Sequence, residues 1–256
     1  MHTCQNCGRP EEGAFCSHCG QKQATGRFTL QSILAAALAE LVDLDRGSFR
    51  TAYGLMTSPG RLVRDYWARR TQPFINPVRY FLFAVAVYQV VLWKTGGAEN
   101  IVRGFLDADR DTDGNLQAAA SPSETLQFFG DYFVLFFVVG VLMLALISCI
   151  YSPRTVAEEL IFQLYAWGHL ALLWAIAAGV GHMIPISSQF KEMYGGAVLV
   201  GTVAYYVWAD AGAHSPDTDR SIWRDAVEAL GTVFLFVFAY TFLSGILVGM
   251  LVEALA

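Results

Sequence analysis

The sequence predicts an all-α integral membrane protein: about five transmembrane helices, preceded by amphipathic interfacial helices and a small cysteine-rich head. Three observations predict it. Only 15% of the 256 residues are charged and 55% are hydrophobic, whereas a soluble domain carries about 25% charge. Apolar stretches of spanning length recur from residue 77 onward. Four of the five cysteines lie in the first 19 residues. The chain accordingly divides into a head at 1–27, a basic amphipathic region at 28–76 and a helical membrane body at 77–256.

In the head, Cys4-Gln5-Asn6-Cys7-Gly8 and Cys16-Ser17-His18-Cys19-Gly20 repeat one C-x-x-C-G unit. Two thiolates in one tight turn converge on a single ion, and two such turns complete the tetrahedron of a structural zinc ribbon. Each glycine permits the positive φ that lets backbone N–H groups approach the sulfurs. About twenty residues cannot build a sufficient apolar core, so metal would supply the folding energy. Redox thiols and iron–sulfur ligation are the alternatives. His18 could replace a ligand but reads better as an exposed knuckle side chain. Four protein ligands leave no open position, so Cys4, Cys7, Cys16 and Cys19 are expected to hold zinc structurally rather than catalytically. Arg9, Lys22 and Arg27 against Glu11 and Glu12 is too weak a basic balance for nucleic acid. The polar start does not read as a signal peptide, so the head is expected to stay in the reducing cytoplasm.

Residues 28–76 have helical periodicity. Leu30, Ile33, Leu34, Ala37, Leu38 and Leu41 share a face over 29–42, and Phe49, Tyr53 and Met56 share one over 46–57. A third helix opens at Ser58-Pro59, with Leu62, Val63, Tyr66 and Trp67 opposite Arg61, Arg64 and Asp65, followed by Arg69-Arg70. Apolar residues backed by cations and Trp describe a helix in the membrane interface, so Arg61, Arg64, Trp67, Arg69 and Arg70 are candidate headgroup contacts. Packing of these helices onto the membrane body from the cytosolic side is the alternative, and both can hold together.

Five segments qualify as spans: about 77–94, 131–151, 159–184, 193–210 and 228–252. The first has a clear start, with Asn76 to cap and Pro77 at the first helical position. With the N-terminus inside and an odd number of spans, thirteen of the 17 Lys and Arg residues fall inside and four outside. That bias predicts a cytoplasmic N-terminus and an external C-terminus.

Weaker signals follow. Asp109, Asp111, Asp113, Gly114 and Asn115 open like a calcium loop, but the twelfth position is Ala120 where a bidentate Glu is needed. A solvated acidic loop is the preferred reading, with a weak calcium site the alternative. His169 is the one ionisable residue expected near the bilayer midplane, a buried polar candidate that reads better as a hydrogen-bonded structural residue than as a relay. Glu158, Glu159, Asp210 and Glu228 fall at span ends, where water is expected to reach them. Ala177-x-x-x-Gly181, Ala197-x-x-x-Gly201 and Gly245-x-x-x-Gly249 permit close helix packing, within one chain or between copies. Nucleophile elbow, phosphate loop and zincin motifs are absent from the sequence, and no catalytic residue is assigned.

The string C-x-x-C-G…F-C-x-x-C-G-Q, then Leu44-Asp45-Arg46-Gly47…Thr51, Ser58-Pro59-Gly60…Tyr66…Arg69-Arg70 and Asn76-Pro77…Tyr80-Phe81, resembles a bacterial domain-of-unknown-function family. Its members join an N-terminal four-cysteine zinc ribbon to a multi-span membrane domain. The resemblance covers about residues 1–83 by motif. It implies zinc at the four cysteines and a bacterial inner (plasma) membrane location, and supplies no activity.

The leading functional expectation is a non-enzymatic scaffold or regulatory protein whose cytoplasmic ribbon docks a cytosolic protein partner. A small-solute transporter or channel with the ribbon as regulatory cap would need His169, Gln163, Gln89, Thr202 and Thr241 to face one another. An intramembrane lipid-modifying enzyme would need His169 or the Glu158-Glu159 pair to meet other polar groups in a cleft. The bilayer is the expected environment, and a homo-oligomer stays open.

Overall fold

The computed structural model describes residues 2–11, 13–21, 28–33, 47–96, 137–150, 152–184, 188–214 and 231. The acidic loop with Asp109, Asp111, Asp113 and Asn115 lies outside these residues, as do most of the predicted helix at 29–42 and nearly all of the predicted span at 228–252.

The head contains one antiparallel pair of short strands, β1 (His2–Thr3) and β2 (Pro10–Glu11). The longer elements are helices: α1 (Gly47–Thr57), α2 (Pro59–Trp67), α3 (Pro77–Thr95), α4 (Phe137–Ile150), α5 (Val156–Met183) and α6 (Ser188–His214). Their ends follow local chemistry. The Asn76 side chain accepts from the Val78 amide with Pro77 at the first position, and Gly96 closes α3 at φ 66°. Thr155 and Glu158 form a reciprocal capping box on α5. Helix α2 ends in a Schellman turn, in which Arg70 N–H bonds to Asp65 O and Arg69 N–H to Tyr66 O.

Among the described residues, α3 and α5 are long and apolar enough to cross a membrane. Helix α4 is apolar but shorter, and α6 is long but falls short in apolarity, with Gly195, Gly196, Gly201 and Thr202 among its residues. The described helices therefore do not support the expected count of about five spans. Length and apolarity have to coincide in one element, and among the described helices they coincide twice.

Helix α5 is the axis of the molecule. Its first half is enclosed, from Ala157 to Ala171, while Ile176, Val180 and Met183 are exposed. Helix α3 runs parallel to α5, offset so that Tyr80 in the first turn of α3 meets His169, thirteen residues after the start of α5. Gly168 makes this approach possible, since a Cβ there would lie 3.1 Å from Phe81 Cα. The offset leaves the first turns of α5 beyond α3, where α1, α2 and the end of α6 surround them. Glycine also closes the α2–α6 crossing: a Cβ on Gly60 would lie 2.1 Å from the Gly212 carbonyl carbon. Leu55, Leu62, Val63, Tyr66, Phe81, Leu144, Phe162, Tyr165 and Tyr206 form the core of this cap and bundle. The apolar face of α2 is thus covered by protein.

Candidate metal centre

The two knuckles have one geometry. Cys4 N–H bonds to Arg9 O and Gly8 N–H to Cys4 O; Cys16 N–H bonds to Gln21 O and Gly20 N–H to Cys16 O. Gly8 and Gly20 take φ of 74° and 72°, where a side chain would be strained. The amides of Arg9 and Gln21 hydrogen-bond the thiols of Cys7 and Cys19. Local backbone bonding therefore aims the sulfurs inward before any ion is considered.

All four sulfurs lie within 4.8 Å of one another. Cys4 Sγ is 3.6 Å from Cys19 Sγ, and Cys7 Sγ is 3.7 Å from Cys16 Sγ. A tetrahedral ion with metal–sulfur bonds of about 2.3 Å requires edges of about 3.8 Å. The spacing fits a metal and is far beyond a disulfide bond of about 2.05 Å. Burial raises the Cys19 thiol, but the Gln21 amide, Asn6 and the neighbouring thiols outweigh it and hold Cys19 at about 7, whereas the Cys7 thiol is raised despite the Arg9 amide, by burial and its hydrogen bonds to Cys19 and Cys4. A thiolate is the form that ligates. Among the described residues this is the one cluster of His, Cys, Asp and Glu able to hold a metal.

Gln21 joins this cluster to the helices. Its buried side chain bonds Thr71 through Nε2 at 3.0 Å, and its Oε1 accepts from Thr71 Oγ1 and from the Gln72 amide. Gly20 packs on the Gln72 side chain. One residue therefore touches a ligand sulfur with its backbone and the 70–76 loop with its side chain. Sequence reasoning passed over Gln21, because a glutamine after a knuckle looks like any solvated residue. Gln5, Gly8 and Arg9 of the first knuckle are exposed, as are Ser17, His18 and Gly20 of the second and Phe15 just before it, the last by 60%.

A family model described as a protein of unknown function (DUF3667) matches residues 45–89. No curated protein and no solved structure matches the chain. The matched segment contains α1, α2, the 70–76 loop and most of α3. It begins after the cysteines, yet it supplies the Thr71 and Gln72 that receive Gln21.

Within that segment, three of the five candidate headgroup residues, Trp67, Arg69 and Arg70, have protein partners. Trp67 Nε1 donates to Glu158 O at 2.9 Å, with Arg154 stacked 3.7 Å above its ring. Arg69 lies 3.5 Å over Phe28, and Arg70 pairs with Asp65. Arg61 is exposed and Arg64 half-buried.

Other buried and half-buried polar groups hydrogen-bond in four separate sets. His169 Nδ1 shares a 2.9 Å hydrogen bond with Tyr80, while its Nε2 has no hydrogen-bond partner. This is the level of the first turn of α3 and of the middle of α5. Gln163 bonds Ser148, Tyr206 and Trp167. Thr202 accepts from Trp174. His169, Gln163 and Thr202 thus hydrogen-bond in different sets, Gln89 Oε1 is buried without a hydrogen-bond partner, and Thr241 lies outside the described residues. Glu158 and Glu159 are buried, correcting the expectation that water reaches them, because α5 starts inside the helical cap. His214 bonds Glu159 Oε1 through Nε2 and the Asp210 carboxylate through Nδ1, both at 3.1 Å. Asp210-x-x-x-His214 has the spacing of an i,i+4 pair, a signal the sequence does carry. Burial opposes the His214 charge, but the hydrogen bonds and charges of Asp210 and Glu159 outweigh it and raise this imidazole to about 10.

Proposed function

We propose that this is a non-enzymatic integral membrane protein that presents a zinc ribbon to a cytosolic protein partner. The observation that carries the reading is the closed four-sulfur cluster, tied to the helical cap on one knuckle and exposed on the other. Tetrahedral four-sulfur sites take zinc or iron, zinc being the structural ion of ribbons, and four protein ligands leave no position for substrate. Gln21, at the end of the second knuckle, is held by Thr71 and Gln72, and the surface proposed for a partner is the exposed first knuckle with Phe15. A rigid exposed aromatic is the kind of anchor that dominates protein interfaces.

The membrane part of the proposal rests on the two apolar helices and on their outward Leu82, Phe83, Val90, Trp93, Ile176 and Val180. A multi-span body in a bacterial inner membrane belongs to the same proposal, and a cytoplasmic N-terminus agrees with the bias of the Lys and Arg residues if the number of spans is odd. Headgroup contacts by Arg61 and Arg64 belong to the same reading.

The test is metal analysis and pull-down of cytosolic proteins with detergent-purified chain. Wild type is expected to carry about one zinc per chain, Cys4→Ser/Cys7→Ser to lose both zinc and partner, and Phe15→Ser to keep zinc and lose the partner. Partner retention in Phe15→Ser would reject docking through this face.

A further inference from the structure

Helix α1 is oriented opposite to the usual sense. Thr51 and Leu55 face inward. Phe49, Tyr53 and Met56, at i, i+4 and i+7 on the other side, are exposed by 81%, 64% and 54%. The inward face is fixed at both ends. Thr51 Oγ1 accepts from the Ile75 amide at 3.0 Å, and Leu55 O accepts from Tyr205 OH at 3.1 Å. Rotating α1 to bury its aromatics would break both bonds.

Those same contacts set the level of α1. Ile75 immediately precedes the Asn76 cap of α3. The Tyr205 ring lies 5.4 Å from that of His169, which bonds Tyr80 in the first turn of α3. Helix α1 therefore lies across the level at which the first membrane-length helix begins. Its outward stripe has Arg50 exposed on its flank, and α1 contains no acidic residue. Phe, Tyr and Met beside Arg, at the entry level of a span, match the headgroup zone of a bilayer, where amphipathic side chains bury an apolar body and keep a polar tip wet.

We propose that the outer face of α1, formed by Phe49, Tyr53 and Met56 with Arg50, is a binding surface for the anionic headgroup region of the bilayer. The sequence suggested interfacial helices across 28–76 and placed its candidate headgroup residues on and just after α2; the structure covers the apolar face of α2 and turns that of α1 outward. The proposal rests on the membrane reading above.

The experiment uses full-length chain in vesicles of phosphatidylcholine mixed with phosphatidylglycerol, carrying the photocrosslinker p-benzoylphenylalanine at position 49 or, separately, at position 90. Light-dependent phospholipid adducts are expected at both positions. At position 49 phosphatidylglycerol should be enriched over its share of the mixture. Arg50→Gln is expected to reduce that enrichment by up to about fivefold, the effect of one cation at an anionic surface. Lipid adducts at 90 with none at 49, or chain-to-chain adducts at 49, would overturn the lipid surface and leave the membrane reading standing. Adducts at 49 without enrichment would overturn the selectivity for anionic lipid. No lipid adduct at either position would overturn both readings.

Discussion

Arg69 shows how one residue can hold two opposed terms. It is the non-glycine residue with positive φ, at 65°, among those described, and it occupies the αL position of the turn that closes α2. Glycine would be relaxed there, whereas arginine is strained by about 1 kcal/mol. In return its guanidinium stacks on Phe28, whose ring stacks on Tyr66, and such contacts supply about 0.5–2 kcal/mol. Arg69→Gly removes both terms and is expected to leave unfolding in detergent nearly unchanged. Arg69→Ala keeps the strain and loses the stack, so it should destabilise by about 0.5–2 kcal/mol; equal midpoints for the two variants would contradict this. His214 carries a pH-dependent term of definite sign. Its folded value of about 10 lies above the ordinary 6.5. The ion pairs with Glu159 and Asp210 therefore stabilise fully below about 6.5 and are lost as pH rises from there through about 10. The difference in melting temperature between wild type and His214→Gln should shrink across that window, and a constant difference would place the stabilisation elsewhere.

At the scale of elements, glycines decide where helices touch. Gly168 and Gly60 sit in backbone-to-backbone crossings, whereas Gly201 has open space around it. Gly168→Ala and Gly60→Ala are thus expected to destabilise by about 1–3 kcal/mol through overpacking. Gly201→Ala should be neutral or stabilising by up to about 1 kcal/mol, from helix propensity. Unfolding in detergent separates the two outcomes; a cost at Gly201 would imply a neighbour that packs there. The contrast also marks what a sequence can carry. Asn76-Pro77, Thr155-x-x-Glu158 and the paired C-x-x-C-G units act within a few residues, so the start of α3, the box on α5 and the sulfur cluster are legible in one dimension. The Ala197-x-x-x-Gly201 pattern was legible too, but whether a small residue faces a neighbour depends on where the other helices lie. The same holds for α1 and α2. Their apolar stripes look alike in sequence, and only the Ile75 and Tyr205 hydrogen bonds decide which one turns inward. Glu159 looked wet because span ends usually are; the offset between α3 and α5 buried it.

Over the whole molecule, the question is whether the ribbon and the bundle are one cooperative unit. Their energy comes from different sources: a bound metal would hold the ribbon, whereas the α3–α5 core is apolar and closed around Tyr80, Phe81, Phe162 and Tyr165. The described link is narrow, running through Gln21 to Thr71 and Gln72. Such a link lets the ribbon be released without unfolding the helices. The Gln72 amide donates to Gln21 Oε1 at 3.0 Å, so its hydrogen exchange reports the link directly. Chelating the metal should unfold both knuckles, free Gln21 and raise exchange at Gln72, while amides in α3 and α5 keep their protection. Gln21→Ala should raise exchange at Gln72 equally but keep its metal, because the backbone of residue 21, not its side chain, serves Cys16 and Cys19. Loss of protection throughout α3 and α5 on chelation would make ribbon and bundle one folding unit. Unchanged exchange at Gln72 in Gln21→Ala would mean that another contact holds the loop. The expected pattern makes the metal centre a detachable cap, whose position over the helices is set by one glutamine and whose integrity is set by four sulfurs.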